Sequence, residues 1–257
     1  DHTGGAVPES MVMAGMEHAL DLKLTQGYDV DAISMSISGP TVYDGRDLED
    51  QLVDTITSHG ITLVAAASND GPATMTVGSP GSAYTAITVG AAATPVQTRV
   101  YWDYYYGWPG IGYYLYTTED NQIYAFSSRG PTSDGRSKPT LSATGIMVLS
   151  AYPEGGVQDL AWFSGTSMAT PAVSGAVALI NAFAETAGGK WKKLQGATPE
   201  DYKQALTNSA VWLPGYTEWD QGAGFLNAAY ALEALKSDNS IGDVAPPLPP
   251  TGELIDI

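Results

Sequence analysis

Residues Ile61-Thr62-Leu63-Val64-Ala65-Ala66-Ala67 form a run with one hydroxyl and no charge. A run this short and this apolar suits a strand buried on both faces, as in a parallel sheet covered by helices on either side. The flanking segments agree. Pro8 to Leu24 carries Met11, Val12, Met16, Ala19 and Leu20 at helical spacing, with Pro8 near its start and Gly27 past its end. Val30 to Gly39 reads as a short strand leading into a turn, and Asp47 to His59 as a helix ended by Gly60. Ala86 to Ala93 reads as another buried strand. Helix and strand in alternation predict right-handed crossovers and a mostly parallel sheet. With 257 residues, the chain can bury a large core as one α/β domain.

In such sheets ligands gather beyond the carboxyl ends of the strands. The run ends in Ser68-Asn69-Asp70-Gly71-Pro72. That is good turn chemistry, and it also suits an Asn that points its amide into a site. Further on, Phe163-Ser164-Gly165-Thr166-Ser167-Met168-Ala169-Thr170-Pro171 runs into the apolar stretch Ala176 to Ile180, a loop opening a buried helix. Ser167 sits at the junction, where free amides and the helix dipole favour negative charge. A serine there either caps a core helix or attacks a carbonyl and helps hold the oxyanion. Gly165 lets backbone approach a substrate. Pro171 falls at an early helix position that needs no N–H partner, or marks a kink.

The string Gly165-Thr166-Ser167-Met168-Ala169-Thr170-Pro171-Ala172-Val173-Ser174-Gly175 resembles the nucleophile motif of subtilisin-like serine proteases. Ala172 stands where that family usually has His, which is not its catalytic base. Ala67-Ser68-Asn69-Asp70-Gly71-Pro72 is similar to the family's oxyanion segment, with Ser68 in place of Gly. Ser36, Ile37, Ser38 and Gly39 resemble its substrate-binding strand, with Ser38 in place of Gly. The resemblance implies Ser167 as nucleophile and Asn69 as oxyanion donor. It also implies a peptide-binding wall at Ser36, Ile37, Ser38, Gly39, Gly165 and Thr166. Ala125-Phe126-Ser127-Ser128-Arg129-Gly130-Pro131 and Gln221-Gly222-Ala223-Gly224-Phe225-Leu226-Asn227 also match the family. The first of these is expected to position the strand leading to the nucleophile.

The fold implied is α/β: a three-layer subtilisin-like domain with a mostly parallel central sheet, incomplete at its amino-terminal side. It would occupy residues 1–236. Residues 237–257 are acidic and Pro-rich and read as a linker or tail. Residues 97–125 form an insertion dense in Tyr and Trp, which reads as a hairpin or loop packed by its own rings. A similarly placed insertion occurs in the pyrolysin-like archaeal branch of the family, which narrows the resemblance to that branch.

A formal net charge of −17 argues against nucleic acid and anionic membrane as partners. No cysteine is present, so disulfides, thiolate catalysis and Cys-bound zinc are excluded. No stretch reads as a membrane span. No cofactor is required for the expected chemistry. Structural calcium is compatible with the resemblance, although no ligand-spaced acidic loop occurs and no metal ligand is assigned. The family's Asp-[Ser/Thr]-Gly and His-Gly-Thr-His motifs are absent. His2, His18 and His59 do not replace them. The expected partners are therefore a peptide or protein substrate and an upstream segment or chain that supplies His and Asp. The setting would be extracellular or at the cell surface. The alternative is a catalytically inactive protease-like scaffold.

Overall fold

A computed structural model of the chain describes residues 8–39, 44–152, 159–186 and 196–236. The elements begin with helix α1 (Glu9–Leu24), strand β1 (Ala32–Met35), helix α2 (Leu48–Ser58), strand β2 (Thr62–Ala66) and strand β3 (Ile87–Ala93). Each lies within a residue or two of its expected place. Asp47 caps α2 by accepting from the Asp50 amide at 2.9 Å. The second half comprises α3 (Pro95–Tyr106), α4 (Ile111–Leu115), β4 (Gln122–Ile123), β5 (Leu141–Thr144), β6 (Val148–Tyr152) and β7 (Asp159–Phe163). It ends with α5 (Thr166–Thr186), α6 (Pro199–Ser209), α7 (Glu218–Gln221) and α8 (Ala228–Lys236). The reading of residues 237–257 as a linker lies outside the described residues.

The central sheet is mostly parallel. β1 pairs with β2, β2 with β3 and β3 with β5, all parallel. The short β4 is antiparallel to the end of β3. Both β2 and β5 pair at Val89, so they lie on opposite edges of β3. β1 ends the order and its outer edge is unpaired among the described residues.

Side-chain alternation along β2 builds two cores, one on each face. Val64 joins Val89, Leu141, Val173, Val177, Ile180 and Leu206 under α5, α6 and α8. Leu63 and Ala65 join Met16, Val53, Ile56 and Ile61 under α1 and α2. The apolar run is thus covered on both sides, in three layers.

Two elements differ from expectation. The aromatic insertion is helical. Thr94 and Gln97 form a capping box that starts α3, with Pro95 at its first position, and Gly107 in the left-handed region ends it. Some rings pack on one another, as Tyr101 does on Tyr105 at 6.0 Å. Tyr104, Tyr114 and Trp108 face solvent. The approach to Ser167 is a hairpin, β6 antiparallel to β7, rather than a single strand.

Within α5, Thr166–Phe183 is long and apolar enough to cross a membrane by length and composition. That corrects the expectation that no stretch qualifies. Its packing identifies it as a core helix, because Ala169, Val173, Ala176, Val177 and Ile180 form one stripe seated on the sheet.

The first turn of α2 carries a buried acidic cluster. Ser79 Oγ lies 3.2 Å from Asp47 Oδ1, 3.3 Å from Glu49 Oε2 and 3.0 Å from Asp50 Oδ1. Ser82 Oγ donates to Asp50 Oδ2 at 2.5 Å. Two hydroxyl protons cannot serve three carboxylates. Burial pushes Glu49 up to about 6 and Asp50 up to about 7, with the Asp47 charge adding to both. Groups raised in the folded state stabilise it fully below their unfolded pKa, and that contribution is lost as pH rises through the folded value. The Asp50→Asn variant should therefore gain on the wild type by about 1–3 kcal/mol as pH rises from about 5 to about 8. Urea midpoints of the purified protein at both pH values measure this.

Candidate active site

Ser167 is the second residue of α5, so its amide has no helical acceptor. Pro171 is the sixth residue, past the four free amides of a helix start. It has no N–H to give the Ser167 carbonyl, its partner one turn back. Ser36 takes that place, its Oγ donating to the Ser167 carbonyl at 2.7 Å. In return, Ser167 Oγ donates to the Ser36 carbonyl at 3.1 Å. Pro171 thus does not sit among the free amides of the helix start. It releases the carbonyl that ties α5 to the chain leaving β1. Ser174 adds a second tie one face along, donating to Ser34 Oγ at 2.8 Å.

Asn69 enters from the end of β2. Its Oδ1 accepts from the Thr166 amide at 2.9 Å and from Thr166 Oγ1 at 3.1 Å. With the oxygen doubly held, the side-chain NH2 is the free end, and it has no protein partner among the described residues. Thr166 is fully buried while Asn69 is exposed, so this clamp is half-buried, fixed on the Thr166 side. A Cβ on Gly165 would stand 3.6 Å from Asn69 Nδ2, an ordinary van der Waals contact, so Gly165 adjoins the amide without crowding it.

Ile37, Ser38, Gly39, Ser68, Asn69, Asp70, Thr166 and Ser167 line one cleft of about 550 Å³, with Ala66 at its floor. The Gly39 amide is anchored on the Ser79 carbonyl at 2.7 Å. Of the expected site residues, Ser36 and Gly165 are not part of this lining. The rest come together.

The segment around Ser127 braces the Asn69 loop, and its Phe126 also packs with Ile146 and Met147 just before β6. Gly71 N donates to the Phe126 carbonyl at 2.9 Å, Ser128 N to the Ser68 carbonyl at 3.0 Å, and Asp70 N to Ser128 Oγ at 3.0 Å. A Cβ on Gly71 would fall 2.1 Å from the Ser127 carbonyl oxygen, which explains the glycine there. Arg129 pairs with Asp220 at 2.8 Å and fixes the segment to α7.

Neither described histidine reaches the cleft. His18 is exposed on α1. His59 follows α2, its Nδ1 lying 2.9 Å from the Thr55 carbonyl. His2 lies outside the described residues. Among the described residues, no group of three or more His, Asp or Glu side chains is arranged to hold a metal ion. Sequence reasoning missed the Ser36–Ser167 exchange. Pro171 four residues after Ser167 was the signal for half of it.

Residues 3–237 match the Subtilase family. Pyrolysin of Pyrococcus furiosus is 42% identical over 241 residues, which cover 89% of this chain and 16% of that protein. Serine protease AprX of Bacillus subtilis is 30% identical over 219 residues, covering 77% of this chain and 42% of that protein. The chain thus spans well under two thirds of these relatives. Among solved structures, the Prenylagaramide maturation protease PagA superposes with a TM-score of 0.62 at 25% identity, over 90% of this chain and 69% of that one. Sphericase gives 0.63 at 25% identity, over 87% and 64%.

Ser68 has φ +92°, a left-handed conformation that a side chain strains. Its hydroxyl is bonded to Asp70 Oδ2. Alanine would keep the strain and lose the bond, whereas glycine would lose both. Ser68→Ala should therefore be less stable than Ser68→Gly by about 1 kcal/mol, read from urea midpoints of the two variants.

Proposed function

The chain belongs to the subtilase family, and on that footing we propose that it is the nucleophile-bearing portion of a serine endopeptidase. The observation that carries this reading is that the Ser167 hydroxyl and the free end of the Asn69 amide line the same cleft. In the proposed reaction, Ser167 Oγ attacks the peptide carbonyl and loses its proton to a histidine. The Ser167 amide and Asn69 Nδ2 donate to the tetrahedral oxyanion. The imidazolium returns the proton to the leaving amine, the C–N bond breaks, and an acyl ester remains on Ser167. Water, deprotonated by the same histidine, then releases the acid. Ser36 to Gly39, at the end of an edge strand, offer backbone groups to an extended peptide.

The histidine and its aspartate come, in this proposal, from an upstream segment or partner chain. Two observations support such a neighbour. The outer edge of β1 is unpaired among the described residues. The outward face of α5, with Ala172, Gly175, Ala178 and Leu179, lies exposed, opposite the buried stripe of Ala169, Val173, Ala176, Val177 and Ile180. The chemistry requires no cofactor. The family resemblance supports residues 1–236 as part of one catalytic domain in an extracellular or cell-surface setting. Structural calcium rests on that resemblance alone.

A second reading, an inactive protease-like scaffold, is favoured by the cleft's lack of a histidine among the described residues. Serine-directed labelling separates the two. A fluorophosphonate should label Ser167 in the full-length protein, and Ser167→Ala should abolish labelling. A folded protein that stays unlabelled supports the scaffold. For the enzyme, Asn69→Ala should lower kcat about 100- to 1,000-fold with little change in KM, a range taken from subtilisin, a member of the same family. Steady-state hydrolysis of a peptide substrate measures it.

A further inference from the structure

Residues 77–83 are buried and reach both walls of the cleft. On one side the Ser79 carbonyl accepts from the Gly39 amide at 2.7 Å. On the other, the Gly78 amide donates to the Ala67 carbonyl at 3.3 Å, just before Ser68 and Asn69. This loop is held from behind by one carboxylate. Ser79 Oγ lies nearest Asp50 Oδ1, at 3.0 Å, and Ser82 Oγ donates to Asp50 Oδ2 at 2.5 Å. Asp50 is fully buried and lines no part of the cleft. No ion pair among the described residues includes it. Asp47 and Glu49 face it from α2, Glu9 of α1 acts on Glu49, and Lys138 lies within electrostatic range. The Lys138 nitrogen is spent on the Ala86 carbonyl and Thr88 Oγ1, at 2.9 and 2.7 Å. A buried carboxylate without a paired cation is costly, and departures of that kind concentrate where function needs them.

Resting on the protease reading, we propose that Asp50 is a positioning residue: through Ser79 and Ser82 it fixes the loop that anchors Gly39, and so sets how firmly an extended peptide is held. It acts on binding more than on chemistry. Ser36 is tied separately to Ser167, and Asn69 to Thr166, so nucleophile and oxyanion donor keep their places when the loop loosens. The grip also depends on pH. While Glu49 and Asp50 keep their protons, the cluster shares hydrogen bonds without repulsion. As both ionise, three charges crowd around two hydroxyls and push the loop from α2. An amide at position 50 would accept from one serine, donate to the other and take no charge.

The test is steady-state hydrolysis of one extended peptide by the full-length protein and two variants of it. Asp50→Ala should raise KM about tenfold, the size of one or two lost hydrogen bonds, while kcat changes less than about threefold. A fluorophosphonate, which needs no peptide wall, should label Ser167 of this variant at the wild-type rate. Asp50→Asn should keep the wild-type KM at about pH 5.5 and fall about fivefold below it by about pH 8.5, where only the wild type has gained the charge. Comparing the two proteins at each pH cancels the titration of the catalytic histidine. A folded Asp50→Ala variant with unchanged KM, or with a loss confined to kcat, overturns the inference. So does a ratio of Asp50→Asn to wild-type KM that stays constant with pH, which decides the matter where Asp50→Ala does not fold. Both results leave the protease reading intact. A protein that cleaves no peptide and resists fluorophosphonate overturns both.

Discussion

The arrangement depends on an exchange between two serines that are 131 residues apart in sequence. Ser36 gives its hydroxyl to the Ser167 carbonyl, and Ser167 gives its hydroxyl to the Ser36 carbonyl. A helix carbonyl in the second turn-forming position would ordinarily be spent on the amide four residues on. Pro171 withholds that amide. The helix start is thus joined to the edge strand by side chains, and the place where a hydroxyl meets free amides is set by tertiary contact, not by helix geometry alone.

The opposite side of the cleft is set from below. Asn69 is pinned by its oxygen through two donors from Thr166, so its nitrogen end is defined by elimination. The loop that carries it has few internal bonds and takes its shape from Phe126, Ser127 and Ser128, which Arg129 and Asp220 hold against α7. Preorganisation of this kind matters because a donor that must reorient during reaction loses much of its electrostatic value.

Much of this was readable in the chain. The apolar run around Val64 announced a doubly covered strand, and Asp47 announced a helix start, because those signals act within a few residues. Ser167 and Asn69 were found through motif resemblance, and the cleft holds both. The aromatic insertion was misread because its many Tyr and Trp residues suit strands. The local signal, Thr94-Pro95 followed by Gln97, was present and outweighs them. The acidic cluster of Asp47, Glu49 and Asp50 on Ser79 and Ser82 left no local trace, since its partners lie about 30 residues apart in sequence and meet only through the sheet. The Ser36–Ser167 exchange was hidden for the same reason.

That exchange has a kinetic consequence for the proposed protease. The residue whose carbonyl restrains the nucleophile adjoins Ile37, Ser38 and Gly39, where an extended peptide would lie. Seating a peptide on those backbone groups tugs on the same short stretch that holds Ser167 Oγ. Ground-state grip and readiness to react then share one lever, and changes along this stretch move both together, however far they sit from the scissile bond.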